Sequence, residues 1–125
     1  MTFNVKFHPE FSSAELTHFQ DVSVEEIHAS RLELAQSANA NSARGAIINI
    51  LDSEITASPV EIIENVEGLM ADLRPGCKLA FVAIPEAQEV VSMIVTTVAH
   101  NHGAKVAGFA DLDKARGWIS DMQAT

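Results

Sequence analysis

The stretch GAIINILDSEITASPVEII, residues 45–63, decides the fold because it holds a strand, a polar loop and a helix start in that order. Ala46–Leu51 is apolar without alternation, which is typical of a parallel strand covered on both faces. Ser58, Pro59 and Glu61 suit the N-cap, first and third positions of a helix, where a hydroxyl, a proline and an acid are favoured. The stretch therefore predicts a strand followed by a capped helix.

The same unit recurs along the chain. Two more apolar runs, Lys78–Ile84 and Lys105–Phe109, have strand character, and a helix is expected over Glu86–His102, closed by Gly103. Two further helices are predicted by apolar residues at helical spacing: Ile62, Val66, Leu69 and Leu73 in the first, and Leu112, Ala115, Ile119 and Met122 in the second. Strands that alternate with helices in this way indicate an α/β sheet with crossover connections.

The first third of the chain adds a different element. Apolar and polar residues alternate through Phe3, Val5 and Phe7, and Glu15–Phe19 offers a second short strand, so an antiparallel pair at the sheet edge is expected. Ser23, followed three residues later by an acid, predicts a helix that extends to about residue 37. Residues 1–125 are thus predicted to form one α/β domain of order ββαβαβαβα, with a mixed, mostly parallel sheet of about five strands and about four helices.

Composition excludes several classes of function. A chain of 125 residues that is 47% hydrophobic can bury one sizeable core. Its net charge of -9, with no basic patch, argues against nucleic acid and against an anionic membrane surface. No apolar run approaches the roughly 20 residues that span a bilayer, and no export leader precedes the first strand. A cytoplasmic protein without a membrane span is expected.

No residue pattern indicates catalysis, a cofactor or a metal. Cys77 is the single cysteine and precedes its strand, and neither a GxSxG elbow nor a glycine-rich phosphate loop occurs. His100 and His102 are two residues apart, which points them about 200° from each other on a helix and makes them poor joint ligands. Cys77 and Trp118 are therefore interpreted as packing residues, and a non-enzymatic protein is predicted.

The helix over Glu86–His102 has a wider apolar face than one core contact requires. Its main stripe is extended at the side by Val90, Met93 and Thr97. Deeper burial in the same chain, a homodimer contact, or a surface for a small apolar ligand would each explain that width.

Four segments carry a resemblance to a known family: DVSVEEIHASRLELA, GAIINILDSEITASPVEII, LRPGCKLAFVAIPE and GAKVAGFADLDKARGWI. Together they resemble the STAS superfamily, and more narrowly the small SpoIIAA-like bacterial proteins that are also compared with CRAL-TRIO lipid carriers. The resemblance implies a non-enzymatic regulatory domain that binds a protein partner, in the manner of anti-sigma-factor antagonists. The alternative it implies is a binder of a small apolar or lipid-like ligand between the sheet and the helices.

In the antagonists, an Asp-Ser-Ser-Gly loop before the second helix carries the phosphorylated serine. That motif falls on Thr56, Ala57, Ser58 and Pro59, of which only Ser58 matches. The resemblance therefore implies a degenerate phosphoserine loop.

The position of this loop indicates an interaction surface. It follows a parallel strand at its carboxyl end, where ligands and partners commonly bind in such sheets. The expected partner and regulatory residues are Asp52, Ser53, Glu54, Thr56 and Ser58.

Overall fold

The computed structural model of the chain describes residues 3–121, and Met122, predicted in the last apolar stripe, lies outside them. The described part contains five strands and four helices in the predicted order, ββαβαβαβα. The elements are β1 Phe3–His8, β2 Ser13–Val22, α1 Val24–Ala40, β3 Gly45–Ile55, α2 Pro59–Asp72, β4 Lys78–Val82, α3 Glu89–Asn101, β5 Val106–Phe109 and α4 Leu112–Ser120.

The five strands form one sheet whose spatial order is the chain order, β1-β2-β3-β4-β5. β1 pairs with β2 antiparallel at one edge, and every later pair is parallel. The predicted mixed, mostly parallel sheet with an antiparallel edge is confirmed.

The helices cover the two faces unequally. Residues of α1, α2 and α3 pack with one face of the sheet in the larger core, which includes Leu34, Leu69 and Val95. On the other face, Ala115 and Ile119 of α4 pack in a smaller core. All five residues of β4 are buried, which explains why this strand reads as a continuous apolar run.

Close packing of α4 depends on a glycine at the start of β3. A Cβ added at Gly45 would lie 2.8 Å from three carbon atoms of the Ile119 side chain, which is fully buried. Gly45 therefore lets α4 approach the sheet, because any larger residue would push Ile119 out of its place.

Several predicted boundaries differ from the structure. β2 spans Ser13–Val22 and not only Glu15–Phe19, and α1 continues to Ala40 instead of ending at about residue 37. The strand expected to end at Leu51 continues to Ile55, because the end of β3 pairs with the end of β2 through Val22. The helix expected from Glu86 begins at Glu89, since Glu86 has a φ of 68° and cannot start an α-helix. β4 ends at Val82, two residues before the predicted Ile84.

Candidate functional site at the carboxyl edge of the sheet

Ser58 caps α2, as the sequence predicts. Its Oγ accepts a hydrogen bond from the N–H of Glu61 at 3.3 Å, and its own N–H donates to Glu61 Oε1 at 2.9 Å. Pro59 occupies the first turn, where no helical N–H bond is lost. The capping box is therefore complete, and the Ser58 side chain stands exposed at the carboxyl edge of the sheet.

The loop before this cap is short, since only residues 56–58 separate β3 from α2. Thr56 donates from its N–H at 3.1 Å and from its Oγ1 at 2.9 Å to the carbonyl oxygen of Val22. These two hydrogen bonds to the end of β2 give Thr56 a structural role, because they fix where the chain turns into the helix.

The expectation that Asp52, Ser53 and Glu54 lie in the loop is wrong, because all three lie in β3. A β-bulge precedes them: Thr17 of β2 pairs with Asn49, but Phe19, only two residues later, pairs with Asp52. β3 thus contains one extra residue, which reverses the alternation of its side chains.

The reversal separates the residues predicted to act together. Ile50 in the bulge and Ile55 after it both pack in the larger core, on the face covered by α1, α2 and α3. The exposed Asp52 and Glu54 alternate with Ile55 and so point to the opposite face of the sheet. Ser53 turns inward, and its hydroxyl donates to the Ile50 carbonyl oxygen at 3.0 Å.

Gln88, which the sequence did not single out, joins this bulge to the start of α3. Its Nε2 donates to the carbonyl oxygens of Ile50 at 2.8 Å and Ser53 at 2.9 Å, and its Oε1 accepts from the N–H of Ile84 at 2.7 Å. One side chain therefore satisfies three backbone groups from two segments. No local pattern could reveal this, because the bulge lies more than thirty residues earlier in the chain.

Large apolar side chains are exposed at the same edge. Val60 in the first turn of α2 is 62% exposed, Val90 in the first turn of α3 is 61% exposed, and Ile84 after β4 is 41% exposed. All three follow the carboxyl ends of neighbouring parallel strands, so they share one edge. An apolar group of this kind, surrounded by polar residues, is typical of an interaction surface.

The charges around these residues are of one sign. No Lys or Arg occurs in residues 45–73 or 79–104, whereas Glu61, Glu64, Glu86 and Glu89 are found there. The basic residues that flank these strands come before them, at the amino edge: Arg44, Arg74, Lys78 and Lys105. On the face covered by α1, α2 and α3, the carboxyl edge of the sheet is therefore acidic and the amino edge is basic.

Of the three side residues predicted on α3, Met93 and Thr97 border depressions beside β5, and Val90 does not. Met93 is 58% exposed and borders a depression beside Gly108 and Phe109 of β5. Thr97 borders a second depression that reaches Val106. Val90 borders neither and stands with the apolar residues of the carboxyl edge.

A second candidate site lies between the sheet and helices α1, α2 and α3. An apolar cavity of ≈ 60 Å³ is bordered by residues that include Ile50, Ile62, Val66, Phe81 and Val95. Arg31 lies in its wall, where Nε donates to Asn65 Oδ1 at 2.8 Å. This pocket thus has room for a few atoms beyond those of the packed side chains.

His18 also lies in the wall of this cavity and is 3% exposed. The Ser30 hydroxyl donates to the Ile27 carbonyl oxygen at 3.1 Å, so its oxygen accepts from His18 Nε2 at 3.2 Å. Nδ1 has no hydrogen-bond partner in the part of the chain that the structure describes. Burial lowers the pKa of His18 to about 4, against a smaller opposing effect of the Glu26 carboxylate.

The remaining residues considered for chemistry have structural environments. Cys77 is 8% exposed, and burial raises the pKa of its thiol to about 11, so the nucleophilic thiolate is disfavoured. Trp118 packs against Phe109 with ring centroids 5.6 Å apart, and Lys78 Nζ lies 5.1 Å from the Trp118 ring centroid. Both residues are packing residues, as the sequence predicts.

Residues 3–121 contain neither a metal-binding cluster nor a membrane-spanning helix. No three His, Cys, Asp or Glu side chains converge there on a position where they could hold a metal ion. None of the helices in that range has the length and apolarity to cross a membrane.

Comparison with known proteins identifies the fold. No family model and no curated protein matches the chain. The solved structure of an uncharacterised protein of the DUF3478 family from Shewanella loihica PV-4, described as having a SpoIIAA-like fold, is similar to it with a TM-score of 0.60 and 14% sequence identity. The match covers 94% of this chain and 91% of that one. The chain therefore has a SpoIIAA-like fold.

Proposed function

We propose that this SpoIIAA-like fold is a non-enzymatic protein-binding domain that acts as a regulator in the cytoplasm. The surface that binds the partner is the carboxyl-edge surface, defined here as Ser58, Val60, Glu61, Ile84 and Val90. Its partner is a protein with an apolar centre and a basic rim.

One observation carries this proposal: three apolar side chains, each at least 41% exposed, follow the carboxyl ends of β3 and β4 in stretches of sequence that contain no Lys or Arg. Apolar area at the centre of a patch provides binding energy once it is desolvated, and Tyr, Trp and Arg are favoured in the partner surfaces that cover such centres. Carboxylates around that centre attract a basic partner and repel an acidic one.

Ser58 serves in this proposal as a structural cap inside the interface and not as a phosphoswitch. Both halves of its capping box are formed, so the hydroxyl already has a local task. A phosphate there would add about 1.5 to 2 negative charges beside the Glu61 carboxylate, which bonds the Ser58 N–H. Phosphorylation would thus disturb the start of α2 as well as change the surface charge.

The test is site-specific photo-crosslinking in living cells. A photoreactive residue at position 60 should trap a discrete partner, whereas one at Leu32, which is 44% exposed on α1, should not. The purified partner should then bind with an affinity that falls as salt rises, and Val60→Lys should weaken binding at least about tenfold while Leu32→Lys leaves it unchanged. Equal binding by both variants, or indifference to salt, would contradict the proposal.

We propose the binding of a small apolar ligand as a second function, because the pocket of ≈ 60 Å³ between the sheet and the helices is lined mainly by aliphatic residues and Phe81. Native mass spectrometry of gently purified protein should show an added mass that disappears when Val95→Phe fills the cavity. A bare chain in repeated preparations would exclude a retained ligand.

A further inference from the structure

β5 lies at the edge of the sheet, and within residues 3–121 it pairs with β4 alone. The carbonyl oxygens of Lys105 and Phe109 accept hydrogen bonds of 2.9 Å from the β4 side. In a strand, the N–H and C=O of one residue point to the same side, and successive residues alternate. Those groups of Val106 and Gly108 therefore point away from β4, where they can bond an additional strand.

This edge lacks the features that usually prevent strand addition. β5 has neither a charged residue nor a proline, whereas the other edge strand, β1, carries an exposed lysine, Lys6. Gly108 is exposed and its φ is not positive, so its own conformation does not require glycine. A Cβ there would meet Ser92 Oγ at 3.5 Å, an ordinary contact. Glycine inside a strand often marks a place where another backbone comes close.

A groove runs between this edge and α3, and we call it the β5 groove. It consists of two depressions of ≈ 660 and ≈ 390 Å³ that share Thr96. Met93 supplies exposed apolar area in the larger one, and His100 borders the smaller one. The groove therefore offers apolar side-chain contacts beside free backbone groups, which is the combination that binds an added strand.

The charged residues beside the β5 groove indicate which strand binds in it. Glu89 borders the groove near Phe109, at the end of β5, whereas Lys105 immediately precedes the start of β5. If a second copy of the chain pairs its β5 antiparallel with this one, its Lys105 comes beside Glu89 of the first copy. Its Glu89 then comes beside Lys105 of the first copy. A second copy of this chain has this distribution, so the surface is complementary to itself under a twofold rotation.

We propose that two copies of the chain form a dimer by antiparallel pairing of their β5 strands about a twofold axis at Ala107. Val106 of each copy then faces Gly108 of the other, and both pairs exchange N–H to C=O hydrogen bonds. The sheet becomes continuous across the dimer, and the α3 helices lie antiparallel beside each other with their Met93 side chains in the interface. The carboxyl-edge surface, apart from Ile84, stays outside the groove and free for a partner.

Sedimentation velocity over a concentration series tests this dimer. The wild-type mass should rise with concentration toward twice 13.5 kDa. Glu89→Lys and Lys105→Glu should each raise the dissociation constant about tenfold or more, and the double variant should restore dimerisation because the charges exchange places. Glu33→Lys, a change of the same kind on α1, should have no effect.

A backbone variant provides an independent measurement. Val106→Pro removes an outward N–H and leaves the bonds between β4 and β5 in place, so the protein should stay folded by circular dichroism but sediment as a monomer. A wild type that remains monomeric up to roughly 1 mM would overturn the proposal. So would a dimer that Val106→Pro leaves intact, or a double charge variant no tighter than the single ones.

Discussion

Gln88 holds Ile50 in place across 38 residues of sequence: the Gln88 amide nitrogen lies 2.8 Å from the Ile50 carbonyl oxygen. This bond, with those to Ser53 and Ile84, connects the bulge of β3 to the turn that opens α3. Ile84 and Val90 of the carboxyl edge lie on the turn and the helix start that it connects to β3. Gln88 is therefore a positioning residue for the candidate surface.

Replacing Gln88 with methionine, which has a similar length, should lower the free energy of unfolding by about 1–3 kcal/mol, since buried backbone carbonyls lose their donor. Urea denaturation measures the change. Gln36→Met, on the exposed side of α1, should change stability by less than about 0.5 kcal/mol. Similar values for both variants would show that the Gln88 bonds contribute no net stability.

Ser58→Ala should lower the free energy of unfolding by about 1 kcal/mol because α2 loses its N-cap acceptor. Ser58→Asp should stay close to the wild type, since aspartate also caps. Thermal denaturation of the three proteins at one pH makes the comparison. If alanine proved as stable as serine, the capping box seen here would have no energetic role, and the exposed hydroxyl would need another explanation.

His18 should make stability depend on pH between about 6.5 and 4. Its pKa is lowered from 6.5 to about 4 in the folded protein, so the unfolded chain binds the proton first as pH falls. Stability is unaffected by this group above pH 6.5 and declines below it, by up to roughly 3 kcal/mol at pH 4. His18→Gln does not titrate and should lose less stability over that range. Parallel pH profiles for the two proteins would show that His18 is not the group responsible.

Arg116 neutralises Glu15, which is 5% exposed, through two bonds of 2.6 and 2.9 Å. Arg116→Met should destabilise the protein by about 3–5 kcal/mol, because it removes both short bonds to a buried carboxylate and leaves it only the His8 imidazole, whose Nε2 lies 3.5 Å from Glu15 Oε2. Lys114→Met, two residues earlier on α4 and exposed, serves as the matched control and should be nearly neutral. Restoration of stability by the additional change Glu15→Gln would confirm that the unpaired charge is the cause.

Local rules explain which features the sequence could predict. The cap at Ser58 depends on residues within one helical turn, and the strands of the parallel core depend on the apolarity of their own residues. The predicted element order and mixed sheet followed from these patterns and are confirmed. Gly103, predicted to close α3, lies two residues past Asn101 with a φ of 85°.

The errors concern features that depend on distant residues. The continuation of β3 to Ile55 requires pairing with β2, and the bulge that separates Asp52 and Glu54 from Ser53 is a mismatch of register between those two strands. α3 starts later than predicted because Glu86 takes a left-handed conformation in a turn that Gln88 bonds to the distant Ile50 and Ser53 of β3. None of these relationships leaves a periodic signal in one segment of sequence.

The strand order has a consequence for synthesis on the ribosome. Because each strand pairs with the one made just before it, the sheet can grow by one strand at a time as the chain emerges, and α1, α2 and α3 can settle on the same face in turn. The other face cannot close in this stepwise manner. That face is covered only by α4, which is synthesised last. Glu15 has to remain hydrated until then, because its partner Arg116 lies on α4. The topology therefore lets one face of the nascent sheet be covered early, while the other face stays exposed to solvent until α4 has been synthesised.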